Sequence, residues 1–259
     1  MTTDALLILA RELDVWTGLD SPAAFWWRDD DAALPCVELD RLFKLSGRLA
    51  APCGLAVVPA QTGEPLRKDV SGQRQIWVLQ HGWSHTNWAD KGKGAWELGL
   101  HRPKSVILEE LRQGMGKLSQ LFKGHFLPVL VPPWNRLDSE LLPYLPVLGY
   151  RGLSASFRHH RPVPPDGLRV ADAHCDVLSW KHKPAVFAGA GKCVERITAH
   201  LRDKRAGTVD PDEPTGILTH HMAMDDDAWA FMDDLLTLVM AHPAATWVSP
   251  ADIWPAASR

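Results

Sequence analysis

Short apolar runs alternate with amphipathic helical patterns along most of the chain, and this alternation constrains the fold more than any other feature. Apolar runs with strand character cover residues 23–28, 54–60, 75–80, 126–131, 150–156, 177–180, 216–221 and 245–250. Apolar residues spaced three and four apart, which are typical of helices, occur at 37–50, 104–122, 139–149, 193–207 and 227–242. Strands that alternate with helices are joined by right-handed crossovers, so the pattern predicts a parallel sheet.

The length of the chain bears on the number of domains. Seven or eight predicted strands fit within 259 residues, a length at which single barrels of strand–helix units are common. No linker is followed by a second, independent set of elements. The sequence therefore predicts an α/β protein in which residues 1–259 form a single domain, a distorted (β/α) barrel.

Composition and charge exclude several classes of protein. The net charge of −3 offers no basic surface for nucleic acid or for an anionic membrane. No uncharged apolar run reaches the roughly 18 residues that a membrane span needs. Residues 1–14 have the pattern of an amphipathic helix and not of a secretion signal, and the four cysteines show no C-x-x-C spacing. We therefore expect a cytoplasmic protein with free thiols that acts on a small molecule or a carbohydrate.

Most of the reactive side chains follow a predicted strand at the point where it ends. They are Asp29, Asp30 and Asp31, then His81 and His85, the segment 132–135, Asp176 and Trp180, and finally His220 and His221. Parallel strands deliver their carboxyl ends to one rim of a barrel, where the active sites of such barrels lie. We therefore expect these groups to share one site.

Two histidines in this set have the spacing of metal ligands. His81 and His85 stand four residues apart, so both imidazoles can reach one ion. With a carboxylate from residues 29–31, they would leave a fourth position for water, which is the pattern of a catalytic zinc site. The pair alone is not specific, because chance spacings are common among 12 histidines. An aspartate run by itself often forms a solvated turn.

Together and in this order, five segments resemble the motifs of the polysaccharide deacetylases, the NodB-homology or carbohydrate esterase family 4 type. Residues 28–32 (RDDDA) correspond to the family's TFDDG, and residues 81–85 (HGWSH) keep both histidines of H-[ST]-x-x-H. Residues 131–135 (VPPWN) keep the prolines and an aromatic of the RxPY motif, residues 176–180 (DVLSW) keep the ends of D-x-x-D-W, and residues 218–220 (LTH) keep LxH. The resemblance implies a divalent metal, with zinc expected, and deacetylation of an N-acetylated carbohydrate or a related N-acyl compound.

The resemblance implies distinct roles for the aspartates of the first motif. Alignment with TFDDG makes Asp30 the general base and Asp31 the metal ligand beside His81 and His85. A shift of one residue would assign these roles to Asp29 and Asp30. Because side chains alternate along a strand, Asp29 and Asp31 would also share a face, so the sequence leaves this choice open.

The third and fifth motifs imply an oxyanion donor and a general acid. In the family the LxH motif ends at the acid, which makes His220 the proton donor to the leaving amine. Strand alternation would turn His221 to the other side. The backbone N–H of Trp134 would stabilise the oxyanion, and its alternative is an ordinary loop amide.

Three more residues are expected on the substrate side of the site. Trp180 would form a wall of the acyl pocket, and Asp176 would orient His220. Asn135 would lie beside the oxyanion donor. The alternatives are a core indole for Trp180 and a surface turn for Asp176.

The chain departs from the family pattern at two informative positions. Val131 stands where the family has the arginine that orients the base, and Ser179 replaces the second aspartate of the fourth motif. Arg28, Arg102 or Arg136 could supply the missing cation. These departures leave two alternatives open: an amidase for non-sugar substrates, and a carbohydrate-binding or structural zinc protein that has kept the fold and lost the chemistry.

Overall fold

A parallel sheet forms the centre of the molecule in a computed structural model that describes residues 2–156, 163–181 and 183–255. Within these residues, nine strands belong to the sheet, and all of its pairings are parallel. They are β1 (Ala23–Ala32), β2 (Cys53–Val57), β3 (Ile76–His81), β4 (Phe126–Val131), β5 (Gly152–Leu153), β6 (Arg169–Val170), β7 (Ala173–Asp176), β10 (Thr215–Thr219) and β11 (Ala245–Trp247). Two further strands, β8 (Leu178–Ser179) and β9 (Val186–Phe187), form a separate antiparallel hairpin.

Helices connect these strands and cover the sheet. They are α1 (Thr2–Trp16), α2 (Val37–Leu49), α3 (Glu64–Ser71), α4 (Lys104–Phe122), α5 (Ala190–Ala206), α6 (Asp226–Ala241) and α7 (Pro250–Ile253). Local sequence explains their ends. The Asp225 carboxylate accepts a hydrogen bond from the Ala228 N–H at the start of α6, and Gly207 adopts a left-handed conformation after α5.

The sheet curves into a half-barrel. Its order is β6-β5-β4-β3-β2-β1-β10-β7, with β11 paired to the first residues of β1. The predicted distorted (β/α) barrel is therefore confirmed. The sheet is open, since β6 and β7 form its two edges and do not pair with each other. The strand β1 lies inside the sheet, between β2 and β10.

The main hydrophobic core lies between the sheet and its helices. Phe25 and Trp27 from β1 join Leu55 from β2 and the apolar faces of α1, α2, α5 and α6 in this core. Trp26, on the opposite face of β1, belongs to a separate cluster with Trp254. Burial of both faces explains why β1 lacks the polar alternation of a half-exposed strand.

Several predicted elements differ from the observed ones. The strand expected at 150–156 is reduced to β5, and the helix expected at 139–149 is a 3-10 helix that ends at Tyr144. Pro143 and Pro146 explain the latter, because proline removes a helical hydrogen bond. The segment expected as a strand at 177–180 does not belong to the sheet, and the strand beside β10 is β7 instead. The sequence also did not predict α3. Among the described residues, no helix combines the length and apolar character needed to cross a membrane.

Candidate active site

A cavity of about 330 Å³ opens at the carboxyl edge of the sheet. It is lined by Asp30, Asp31, His81, His85, Trp134, Asn135, Asp176, Trp180 and His220. These are the nine residues that the sequence assigned to catalysis, metal binding and substrate binding.

A larger groove of about 920 Å³ lies along α3 and α4, lined mainly by surface side chains such as Arg67, Arg112 and Lys123. The groove lacks a comparable convergence of reactive groups.

Three potential ligand atoms meet at one point of this cavity. The Oδ1 atom of Asp31 lies 3.1 Å from Nε2 of His81 and 3.2 Å from Nε2 of His85. Tetrahedral zinc with ligands at about 2.0–2.1 Å separates its ligand atoms by roughly 3.3 Å. The spacing of the three atoms therefore fits a single divalent ion.

The hydrogen bonding of His81 supports the same fit. Its Nδ1 lies 3.0 Å from the carbonyl oxygen of Val131, which can only accept a hydrogen bond. In the neutral ring the proton is therefore on Nδ1, and the lone pair of Nε2 faces the Asp31 carboxylate. Two facing acceptors require a cation between them, either a proton or a metal ion, and a backbone carbonyl is a common orienting partner of metal-binding histidines.

The electrostatics keep two of these groups in the forms that bind metal. Burial raises the pKa of Asp31, but the hydrogen bond and charge of His81, with smaller effects of His220 and His85, outweigh it and hold that pKa well below its ordinary value. Burial and the neighbouring His81 lower the pKa of His85. Asp31 is thus a carboxylate and His85 a neutral imidazole near pH 7, as metal ligation requires.

An irregularity in β1 brings Asp31 into the cavity. The pairing between β1 and β2 shifts register between Asp29 and Ala32, and Asp31 has a left-handed backbone with φ of 71°. This breaks the alternation that would have placed Asp31 on the same face as Asp29. Asp30 and Asp31 therefore both line the cavity.

Asp29 instead forms a buried pair with His221. Its Oδ1 lies 2.5 Å from Nδ1 of His221, and its Oδ2 accepts hydrogen bonds from the His221 N–H and the Thr219 hydroxyl. Neither Asp29 nor His221 lines the cavity. Of the two registers that the sequence left open, the geometry favours the one with Asp30 and Asp31.

His220 faces the cavity together with Trp180 and Asp176. The rings of Trp180 and His220 meet edge to face at 4.7 Å, and the Trp180 indole N–H donates to Asp176 at 2.8 Å. Nδ1 of His220 is 4.0 Å from Asp176, which is too long for a hydrogen bond. Asp176 therefore holds Trp180 directly, and its contact with His220 is electrostatic.

Several solved structures with a similar fold are those of deacetylases. A proposed polysaccharide deacetylase from Mycobacterium smegmatis superposes with a TM-score of 0.64 at 14% identity, over 92% of this chain and 91% of that chain. The chain has the fold of the polysaccharide deacetylases. A chitin deacetylase from Colletotrichum lindemuthianum superposes at a TM-score of 0.56 and 12% identity, over 92% and 90% of the two chains. A family 4 carbohydrate esterase from Streptomyces lividans in complex with acetate gives 0.51 and 11%, over 84% and 88%. No protein-family model and no curated protein matches the sequence.

Within this polysaccharide deacetylase fold, a buried arginine stands beside the expected base. The Nη2 atom of Arg28 donates to Oδ2 of Asp30 at 3.0 Å, and Nε lies 2.9 Å from Oδ1. The same guanidinium donates to Asn135 at 2.6 Å and to the Ser154 hydroxyl at 2.8 Å. Of the three candidate arginines, Arg28 is therefore the one that contacts Asp30.

The other two candidate cations lie elsewhere. Arg102 pairs with Glu110 and lies over the ring of Trp88, and Arg136 lies over the ring of Trp96. Ser154 was not predicted, because a serine after a short strand carries no distinctive sequence signal. Its role appears only through its hydrogen bond to Arg28.

A second histidine cluster lies near the start of β10. Ligand atoms of His174, His200 and Glu213 come within 4.8 Å of one another. However, Nδ1 of His174 accepts the backbone N–H of Gly216 at 2.9 Å. In the neutral ring the proton is then on Nε2, which leaves no lone pair for a metal. The Asp31 cluster is the better candidate metal site.

Proposed function

We propose that this protein is a metal-dependent hydrolase that removes an acetyl group, or a similar small acyl group, from the nitrogen of a carbohydrate or a related compound. The observation that carries the proposal is the convergence of Asp31, His81 and His85 beside Asp30 in one cavity. The fold shared with deacetylases supports the same reaction class.

The proposed metal ligands are Asp31, His81 and His85. A divalent ion held there, with zinc expected, supplies Lewis acidity and lowers the pKa of water towards 7. Asp31 would bring one negative charge, and histidines bind a metal as neutral imidazoles. The donor set is therefore that of a catalytic zinc site.

Asp30 is the proposed general base. Asp30 is 2% exposed, and its carboxylate accepts a hydrogen bond from Arg28. This contact fixes the orientation of the carboxylate, and burial shields it from bulk water. A carboxylate held in this way can accept a proton from the attacking water.

The remaining cavity residues would serve the acyl group and the leaving amine. Trp134 has a left-handed backbone (φ of 55°) in the turn after β4, a conformation that persists only where surrounding contacts hold it. Its N–H is the proposed oxyanion donor, and such a donor contributes about 3 kcal/mol. His220 would donate a proton to the leaving nitrogen, with Trp180 as a wall of the acyl pocket.

A panel of N-acetylated sugars and small N-acyl amides tests this function. We expect turnover that EDTA abolishes and added zinc restores, with acetate as a product. Turnover that survives complete removal of metal would exclude the mechanism. Zinc binding without hydrolysis of any member would favour the non-catalytic alternative, and hydrolysis of only the non-sugar amides would favour the amidase.

A further inference from the structure

Glu97 is a buried carboxylate that contacts the segment between the two candidate histidine ligands. It is 0% exposed, and none of the ion pairs among the described residues includes it. Its Oε1 accepts the Ser84 N–H at 2.7 Å and the Ser84 hydroxyl at 3.1 Å, and its Oε2 accepts the Trp83 N–H at 3.2 Å. The charge of Glu97 is thus satisfied by the turn that joins His81 to His85.

The backbone of this turn is built around the carboxylate. Gly82 has a φ of +54°, and a Cβ at that position would lie 2.1 Å from Oε2 of Glu97 and 2.7 Å from Pro133. His85, at the other end of the turn, also has a positive φ of 57°. A left-handed backbone at a residue other than glycine persists only where its surroundings hold it, and the hydrogen bonds of Glu97 are such a constraint.

Glu97 is itself anchored on both sides. The Trp96 carbonyl accepts the Trp88 N–H at 2.9 Å. On the other side, Leu98 forms a β-bridge with Leu137, just after the turn that carries Trp134. The segment 96–98 therefore links the metal-ligand turn to the proposed oxyanion turn.

We propose that Glu97 is a positioning residue that fixes His85 relative to His81 for metal binding by accepting hydrogen bonds from residues 83 and 84. This inference rests on the metal site of the proposed function. It assigns no proton transfer to Glu97, whose hydrogen bonds go to residues 83 and 84 and whose charge also acts on His85.

Zinc affinity of the purified metal-free protein, without substrate, tests this role. In Glu97→Gln, a side-chain NH2 group replaces one acceptor oxygen and faces a backbone N–H, while the side-chain size is unchanged. We expect its zinc dissociation constant, measured by competition with a chromophoric chelator, to rise about 10- to 100-fold. Amide hydrogen exchange at Trp83 and Ser84 should become faster in the same variant.

Glu12→Gln is the matched control. Glu12 is also buried, at 6% exposure, but it pairs with Arg202 and Arg205 on α5. We expect this variant to bind zinc as the unmodified protein does. Equal losses of zinc affinity in both variants would indicate general loosening and overturn the inference, as would unchanged affinity in Glu97→Gln.

Ser84→Ala keeps the test decisive if Glu97→Gln does not fold. It removes the Ser84 hydroxyl, which contacts Glu97 and also the Thr86 hydroxyl, and keeps the backbone N–H that Glu97 accepts. We expect about fivefold weaker zinc binding, the effect of one hydrogen bond. Unchanged affinity would count against the inference.

Zinc binding by the unmodified protein without any hydrolysis would overturn the proposed function and leave the role of Glu97 measurable. If the unmodified protein bound no zinc, the positioning role would be overturned together with the metal site.

Discussion

The guanidinium group of Arg28 holds the carboxylate of Asp30, and both side chains leave the same strand two residues apart. Residues two apart on a strand share a face, so β1 supplies both the proposed base and the cation that orients it. Both side chains are almost fully buried.

Replacement of Arg28 by lysine should separate orientation from charge. Lysine keeps the positive charge but lacks the planar fork that contacts Asp30, Asn135 and Ser154 together. We expect kcat/KM to fall about 100-fold, which is the lower end of the range for a positioned acid or base, while zinc content stays unchanged. Arg136→Lys, which alters a cation outside the cavity, is the control. Normal activity of Arg28→Lys would contradict the assignment.

The three aspartates of the first motif should give three different phenotypes when each is changed to asparagine. Asp30→Asn should abolish turnover and retain zinc, because it removes the proposed proton acceptor and no proposed metal ligand. Asp31→Asn should lose zinc, and Asp29→Asn should lower stability with zinc retained, because Asn cannot ion-pair with His221. Metal analysis, turnover and urea unfolding of each variant measure these outcomes. Loss of zinc in Asp29→Asn would mean that the ligand register is wrong.

His220 and His221 should differ sharply despite being neighbours. His220→Ala should reduce turnover by about 10²- to 10⁴-fold, the contribution of a positioned acid, and retain zinc. His221→Ala should act mainly on stability, since its ring lies against Asp29 outside the cavity. Near-normal rates in His220→Ala, with an inactive but folded His221→Ala, would assign the acid to His221. Loss of zinc in both variants would make the pair ligands and reopen the assignment of His81 and His85.

The pair of His221 and Asp29 should also make stability depend on pH. Burial lowers the pKa of His221, but the charge and hydrogen bond of Asp29 outweigh it and raise that pKa above its ordinary value. The raised pKa means that the protonated ring stabilises the folded state. This stabilisation is complete below the unfolded pKa of about 6.5 and is lost as the pH rises through the folded pKa.

Urea unfolding at about pH 6 and about pH 9 measures this linkage. We expect the free energy of unfolding of the unmodified protein to exceed that of His221→Gln by about 3 kcal/mol at the lower pH, as for a broken buried pair. The difference should shrink at the higher pH. A difference that grows with pH would contradict the sign of the shift. Asp29→Asn should reduce the same pH dependence, since it removes the partner charge.

The amino-acid sequence by itself determined the fold class and the nine residues that line the cavity, although it also placed Asp29 among them, which lies outside. Periodic apolar spacing located strands such as β4 (Phe126–Val131) and helices such as α4 (Lys104–Phe122) with the bounds that the structure has. Parallel strands all end at one edge, so residues that follow different strands, such as His81 and His220, could be placed in one site without knowledge of side-chain positions.

Only the tertiary structure decided how those residues are paired. The contacts of Arg28 with Asn135 and of Asp29 with His221 join residues 107 and 192 positions apart. The register shift that moves Asp31 into the cavity is a departure from regular strand geometry. The spacing of apolar residues in the sequence does not reveal such departures. Local spacing encodes which face of a regular element a side chain occupies. Irregular backbone, and the partner that a buried charge finds across the core, are set by the packing of distant segments.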